Sequence, residues 1–122
     1  MIVNTCFGTR DLERAGAFYD AVLGAAGHAR TGATERAIYY GAQGHGGGFA
    51  VTLPFDGNPA SNGNGTMVTV GVADRAAVDG MHAAALAQGG MCEGAPGERG
   101  NGYYVAYWRD PDGNKMNAVA MG

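Results

Sequence analysis

Serine is all but absent from this chain: of 122 residues only Ser61 is a serine, and it lies in Pro59-Ala60-Ser61-Asn62-Gly63, not in a strand-to-helix elbow. Acyl transfer by a serine nucleophile is therefore excluded, although His45-Gly46-Gly47-Gly48 has the glycine-rich look of an oxyanion loop. Cysteine is scarce too. Cys6 and Cys92 lack metal-ligand spacing, so two free thiols in a reducing compartment are expected. Eight Lys and Arg against eleven Asp and Glu leave a formal net charge of −3 with no basic cluster, which argues against nucleic acid or an anionic membrane as partner. No apolar run approaches the ~18 residues of a membrane span. The start Met1-Ile2-Val3-Asn4-Thr5 lacks the charge of a signal peptide, and a cytoplasmic location is expected.

Glycine is abundant instead, with 23 residues and no collagen period, while 46% of the chain is hydrophobic. That combination reads as turns and bulges between short strands of one compact domain. The sharpest local signal runs from Trp108 to Asn117. In Asp110-Pro111-Asp112-Gly113 the residue types match a type I turn, and a left-handed Gly113 would make it a hairpin with a G1 bulge. Asp110 then pairs with Asn114, Tyr107 with Asn117 and Trp108 with Met116, so Tyr107 and Asn117 share a face.

Along the chain, residues 1–9 read as a strand. Asp11 and Glu13 open a helix with an apolar stripe of Leu12, Ala15, Tyr19, Val22 and Leu23, stopped at Gly24. Residues 28–31, 36–42 and 48–53 read as strands, with a Gly44–Gly48 hairpin loop. After a Pro-, Gly- and Asn-rich connector the pattern restarts: a strand at 66–72, Asp74 as N-cap, a helix with Val78, Met81, His82, Ala85 and Leu86 inward, and hairpin strands at 103–109 and 114–120. A shift of 63 residues superposes Gly8 on Gly71, Asp11 on Asp74, Leu23 on Leu86 and Tyr40 on Tyr103. The predicted organisation is a single domain 1–122, with module one at 1–53, a linker at 54–65 and module two at 66–122. Asn4 is then equivalent to Met67, and matching the closing strands, Phe49 to Leu53 with Lys115 to Val119, makes Val51 equivalent to Asn117.

Thr9-Arg10-Asp11-Leu12-Glu13-Arg14, Phe18-Tyr19, Val22-Leu23-Gly24 and residues 107–115 together resemble the vicinal oxygen chelate superfamily. It includes glyoxalase I, bleomycin-resistance proteins, fosfomycin-resistance enzymes and extradiol dioxygenases. The resemblance implies an α+β fold of two β-α-β-β-β modules forming a curved mixed sheet around a cavity, with the helices on the outer face. It also implies dimerisation, as in many relatives. Metal-dependent relatives carry a His or Glu on the first and last strand of each module, positions that here would be Asn4, Val51, Met67 and Asn117. None is a His, Asp, Glu or Cys, so neither a resident divalent metal nor another cofactor is expected. Period-two alternation adds Cys6 to Asn4, Thr69 to Met67, Phe49 and Leu53 to Val51, and Tyr107 and Val119 to Asn117. The expected ligand site is thus Asn4, Cys6, Phe49, Val51, Leu53, Met67, Thr69, Tyr107 and Asn117, an apolar surface suited to a neutral or aromatic small molecule. Val3, Phe7, Val68, Val70, Trp108 and Met116 would pack beneath the helices.

Other chemistry-bearing residues have plainer readings. Cys6 has no base beside it and reads as a buried spectator thiol, His82 as a half-buried structural side chain, and His45 as a residue able to reach a cavity rim. Arg109, Asp110 and Asp112 would orient the turn. Tyr103, Tyr104 and Tyr107 could stack on an aromatic ligand or simply pack. The predicted function is small-molecule binding without a metal, in the manner of bleomycin-resistance proteins. The alternatives are a lyase, epimerase or dioxygenase of glyoxalase type using a non-standard metal site, and a non-catalytic dimerisation domain.

Overall fold

The computed structural model describes residues 1–41 and 47–121. Gly44, His45 and Gly46 of the expected loop, and with them the rim role of His45, lie outside the described residues. The elements are β1 (Asn4–Gly8), α1 (Leu12–Gly24), β2 (Arg30–Ala33), β3 (Ala37–Tyr40), β4 (Gly48–Thr52), β5 (Val68–Val72), α2 (Arg75–Ala87), β6 (Met91–Glu98), β7 (Tyr103–Arg109) and β8 (Lys115–Met121). They form two four-stranded mixed sheets, ordered β1-β4-β3-β2 and β5-β8-β7-β6, so β-α-β-β-β occurs twice with one topology. In each, the first and last strands of the unit run parallel and the other pairs antiparallel.

The helices begin alike. Asp11 and Asp74 are extended N-caps whose carboxylates accept from the backbone N–H three residues on, Arg14 at 3.0 Å and Ala77 at 2.9 Å. Helix α1 buries Ala15, Gly16, Phe18, Tyr19, Val22 and Leu23, and α2 buries Val78, Met81, His82 and Ala85. Each helix covers one face of its own sheet, and the covered faces meet in one core that includes Phe18, Tyr19, Met81, Trp108 and Met116. Fully burying side chains of this size contributes roughly 1.5–3 kcal/mol each.

The β7–β8 turn has the anticipated form. Gly113 N–H donates to the Asp110 carbonyl and Asp110 N–H to the Asn114 carbonyl, both at 2.9 Å, while Gly113 has φ of 90°. Tyr107 pairs with Asn117 and Trp108 with Met116. The turn is also where the two repeats are tied. Asp112 accepts from Thr9 Oγ1 at 2.5 Å and Arg10 N at 3.0 Å, and pairs with Arg14 at 2.9 Å. Asn114 Nδ2 reaches the Gly8 carbonyl at 2.9 Å, and Asn62 of the connector reaches the Asp112 carbonyl at 2.8 Å. Asp110 and Asp112 thus orient the turn and dock it on the β1–α1 junction as well.

The residues of β6 did not announce a strand. Gly94, Pro96 and Gly97 disfavour one, and β6 survives as an edge strand with two register irregularities, where a proline costs no ladder bond.

Candidate functional site

Strand register decides which side chains each sheet presents on the face its helix leaves open. In the first sheet Cys6 pairs with Ala50 and Phe7 with Val51; in the second, Thr69 pairs with Asn117. Ala50, not Val51, is therefore the counterpart of Asn117. The one-residue difference exchanges faces. Val51 is fully buried beside α1, and Phe49 packs on Tyr19 at 4.9 Å and on Phe7 at 5.6 Å between ring centres. This corrects the expected facing of Phe49 and Val51, which belong to the helix-covered side. Leu53 lies beyond β4, beside a separate 460 Å³ cavity with Arg10, Arg36 and Pro59. Cys6 is exposed on the open face and not a buried thiol, and Val3 precedes β1 and is exposed instead of packing under a helix.

Asn4, Cys6 and Ala50 share the open face of the first sheet, and Thr69, Tyr107 and Asn117 that of the second. Between the two sheets a cleft of about 520 Å³ runs along the free edges of β1 and β5, lined by Ile2, Thr5, Phe49, Met67, Thr69 and Val70 among others. Thr69 belongs to both the cleft and the open face: its hydroxyl donates to Asn117 Oδ1 at 2.7 Å. The nine anticipated site residues therefore divide among a cleft, two open faces, the core and the linker cavity.

The open face of the second sheet is richer in charge than alternation alone suggested. Arg99 lies across Gly94 and Gly97, its guanidinium donating to the Ala95 carbonyl at 2.6 Å and sitting 5.9 Å from the Tyr107 ring centre. Lys115 Nζ is 5.5 Å from the same centre. Arg109 shares this side; it donates to Glu93 at 3.0 Å and to the Gly113 carbonyl at 2.8 Å. Glu93 also faces Lys115 at 3.7 Å. Three cations, Arg99, Arg109 and Lys115, thus stand against one carboxylate, Glu93, which corrects the expectation of an apolar surface suited to a neutral ligand. Extending the alternation from Asn117 and Tyr107 would have found Lys115 and Arg109. Arg99 gave no such signal, because glycines on a neighbouring strand make its path. Of the other tyrosines, Tyr104 is on the helix side, donating to Asp79 Oδ1 at 2.7 Å, and Tyr103 is at the exposed end of β7.

The residues at the four expected ligand positions, corrected for register, are Asn4, Ala50, Met67 and Asn117. Two amides, a methyl and a thioether do not fit a hard divalent cation, and the Asn117 oxygen already accepts from Thr69. Among the described residues no group of three His, Cys, Asp or Glu comes together elsewhere. Among the described residues no helix is long and apolar enough to cross a membrane.

Known structures place this architecture. A glyoxalase/bleomycin resistance protein from Albidiferax ferrireducens T118 is 38% identical, with TM-score 0.92 over 100% of this chain and 99% of that one. A glyoxalase/bleomycin resistance protein/dioxygenase family enzyme from Burkholderia phytofirmans PsJN shares the fold at 19% identity, TM-score 0.77 and 98% of both chains. Lactoylglutathione lyase from Agrobacterium tumefaciens does so at 22% identity and TM-score 0.67, over 98% of this chain and 92% of that one. No curated protein matches the sequence. The family model for the Glyoxalase/Bleomycin resistance protein/Dioxygenase superfamily matches residues 2–117, and this chain belongs to that superfamily.

Proposed function

We propose that this protein binds a small organic anion, an apolar or aromatic body bearing a carboxylate or similar group, without a resident divalent metal. The observation that carries the reading is Tyr107 with Arg99 and Lys115 both near its ring, beside the Thr69–Asn117 pair. An aromatic body stacks on the tyrosine, and its acid accepts charge-assisted hydrogen bonds, worth about 1.5–3 kcal/mol each where water is excluded. Thr69 leads from this polar end into the cleft of Phe49, Met67 and Val70, which takes the apolar body. A net charge of −3 does not oppose this, because the local field follows nearby groups and distant surface charges are screened.

A second copy of the chain completes the site in this reading. Ile2, Met67, Met91, Tyr103 and Met121 are large apolar side chains left exposed around the open faces and free edges, and a homodimer would cover them. Residues 1–122 act as one domain, and the two free thiols suit the cytoplasm.

Thermal unfolding with a panel of aromatic carboxylates and their uncharged amide counterparts tests the reading. A binder at 100-fold its dissociation constant adds ~2.7 kcal/mol of stability. Carboxylates should raise the midpoint and amides should not; equal shifts, or none across the panel, would contradict the proposal. Dialysis against zinc, nickel, manganese and ferrous ions should leave no stoichiometric, chelator-removable metal. Light scattering should report twice the 12.4 kDa chain mass.

A further inference from the structure

On the helix-covered side of the second sheet, away from the proposed anion site, the imidazole Nε2 of His82 lies 3.3 Å from the Sγ of Cys92. The two come from different elements. His82 is on the inner stripe of α2 and only 8% exposed, while Cys92 is the second residue of β6, paired with Trp108, and reaches solvent at the sheet edge. Sequence alone made His82 structural and saw nothing in Cys92, because β6 itself was not legible. Burial lowers the proton affinity of His82, opposed in part by the charge of Asp79 one helical turn earlier, so the imidazole is held in its neutral, proton-accepting form. Asp79 is engaged in turn by the Tyr104 hydroxyl of β7 at 2.7 Å. The other cysteine is a built-in comparison: Cys6 is also exposed, and among the described residues no imidazole is bonded to it.

We propose that Cys92 and His82 form a nucleophilic thiol site that takes small disulfides into mixed-disulfide linkage. A buried, neutral imidazole aimed at an accessible thiol is the arrangement that lets sulfur attack while its proton leaves. As Sγ attacks one sulfur of the disulfide, Nε2 takes the thiol proton. The Cys92–sulfur bond forms, the disulfide bond breaks, and the departing thiolate recovers a proton from the imidazolium. Cys92 is oxidised to the mixed disulfide and the reagent is reduced to one thiol, so no other oxidant is needed. A small thiol reverses the modification.

The probe is 4,4′-dithiodipyridine, followed by release of its thiopyridone and by mass spectrometry of the modified protein. Cys92 in the C6S protein should react about tenfold or more faster than Cys6 in the C92S protein at pH 7, the margin a positioned base supplies even in part. Equal rates would overturn the proposal. His82→Gln, if folded by circular dichroism, should bring Cys92 down to the rate of Cys6; a folded variant that keeps the full rate would remove His82 from the site. Where that variant does not fold, the pH–rate profiles of C6S and C92S decide. An additional acid-side fall for Cys92, from protonation of His82, supports the pair, and superimposable profiles overturn it.

Discussion

The Tyr19 hydroxyl, on the buried face of α1, donates to Asp110 Oδ2 at 2.6 Å, so the first helix holds the turn that closes the last hairpin. Asp110 is otherwise occupied within the turn, accepting from Asp112 N, Asn114 N and Asn114 Nδ2, each at 2.9 Å. Burial first, and then the neighbouring Asp110 carboxylate, raise the Tyr19 pKa well above its ordinary value, so the phenol stays a neutral donor. Tyr19→Phe keeps the ring and loses only this bond. The expected cost is about 1.5–3 kcal/mol in urea unfolding, the range for a hydrogen bond to a charged group. Tyr40→Phe, whose hydroxyl meets the half-exposed Asp20 at 2.8 Å, should cost less, about 0.5–1.5 kcal/mol. The reverse order would contradict the role given to the turn.

Acid should loosen the same junction. Burial opposes ionisation of Asp112, but the bonds from Thr9, from Arg10 backbone and side chain, and the charge of Arg14 outweigh it and leave its carboxyl below the usual value. A depressed folded-state pKa gives stability that is complete above the unfolded value of ~3.9 and is lost as pH falls through the lower folded value. His82, also shifted down, adds a contribution that is present above ~6.5 and fades as pH falls toward its folded value. Stability should therefore decline in two stages on acidification. In Asp112→Asn the stage below about pH 4 should be shallower, as followed by urea midpoints across pH; an unchanged acid limb would contradict this assignment.

Two glycines should respond oppositely to alanine. A Cβ at Gly90 would meet the Ala85 and Arg109 carbonyl oxygens at 2.7 Å and the Phe18 ring at 2.9 Å, so backbone or core must shift. Gly90→Ala should destabilise by about 1–3 kcal/mol. At Gly24, the last residue of α1, a Cβ meets nothing within 4 Å, and Gly24→Ala should stabilise by about 0.4–1 kcal/mol by restricting the unfolded chain. Thermal midpoints of the two variants check both signs.

Legibility in the sequence followed how local each signal was. The Asp110–Gly113 turn and the cap Asp74 depend on residues within one or two turns of themselves, and both were readable, the turn with its register; Asp11 read as an acid of the first helical turn and is the N-cap instead. The face of β4 depended on matching two repeats. A shift of 63 aligns the first strands, Cys6 with Thr69, but the last strands align Ala50 with Asn117, a shift of 67. Matching the closing strands by their bounds, 49–53 on 115–119, is a shift of 66, one residue short; it put Val51 where Ala50 belongs and turned Phe49 the wrong way. Strand β6 was hidden by its own glycines and proline. Arg99 and the Cys92–His82 contact depend on where that strand lies, so neither was readable before it.

The central claim is that the open face of the second sheet holds an organic anion, and calorimetric titration tests it most directly. The best carboxylate from the thermal panel would be titrated into the wild-type protein, Arg99→Ala, Lys115→Ala and the remote control Arg75→Ala, whose guanidinium pairs with Glu98 at 2.7 Å. Arg99→Ala and Lys115→Ala should each weaken binding about tenfold or more, equivalent to ~1.4 kcal/mol, while Arg75→Ala leaves it unchanged. Undiminished affinity in both Arg99→Ala and Lys115→Ala would place the anion elsewhere and contradict the account.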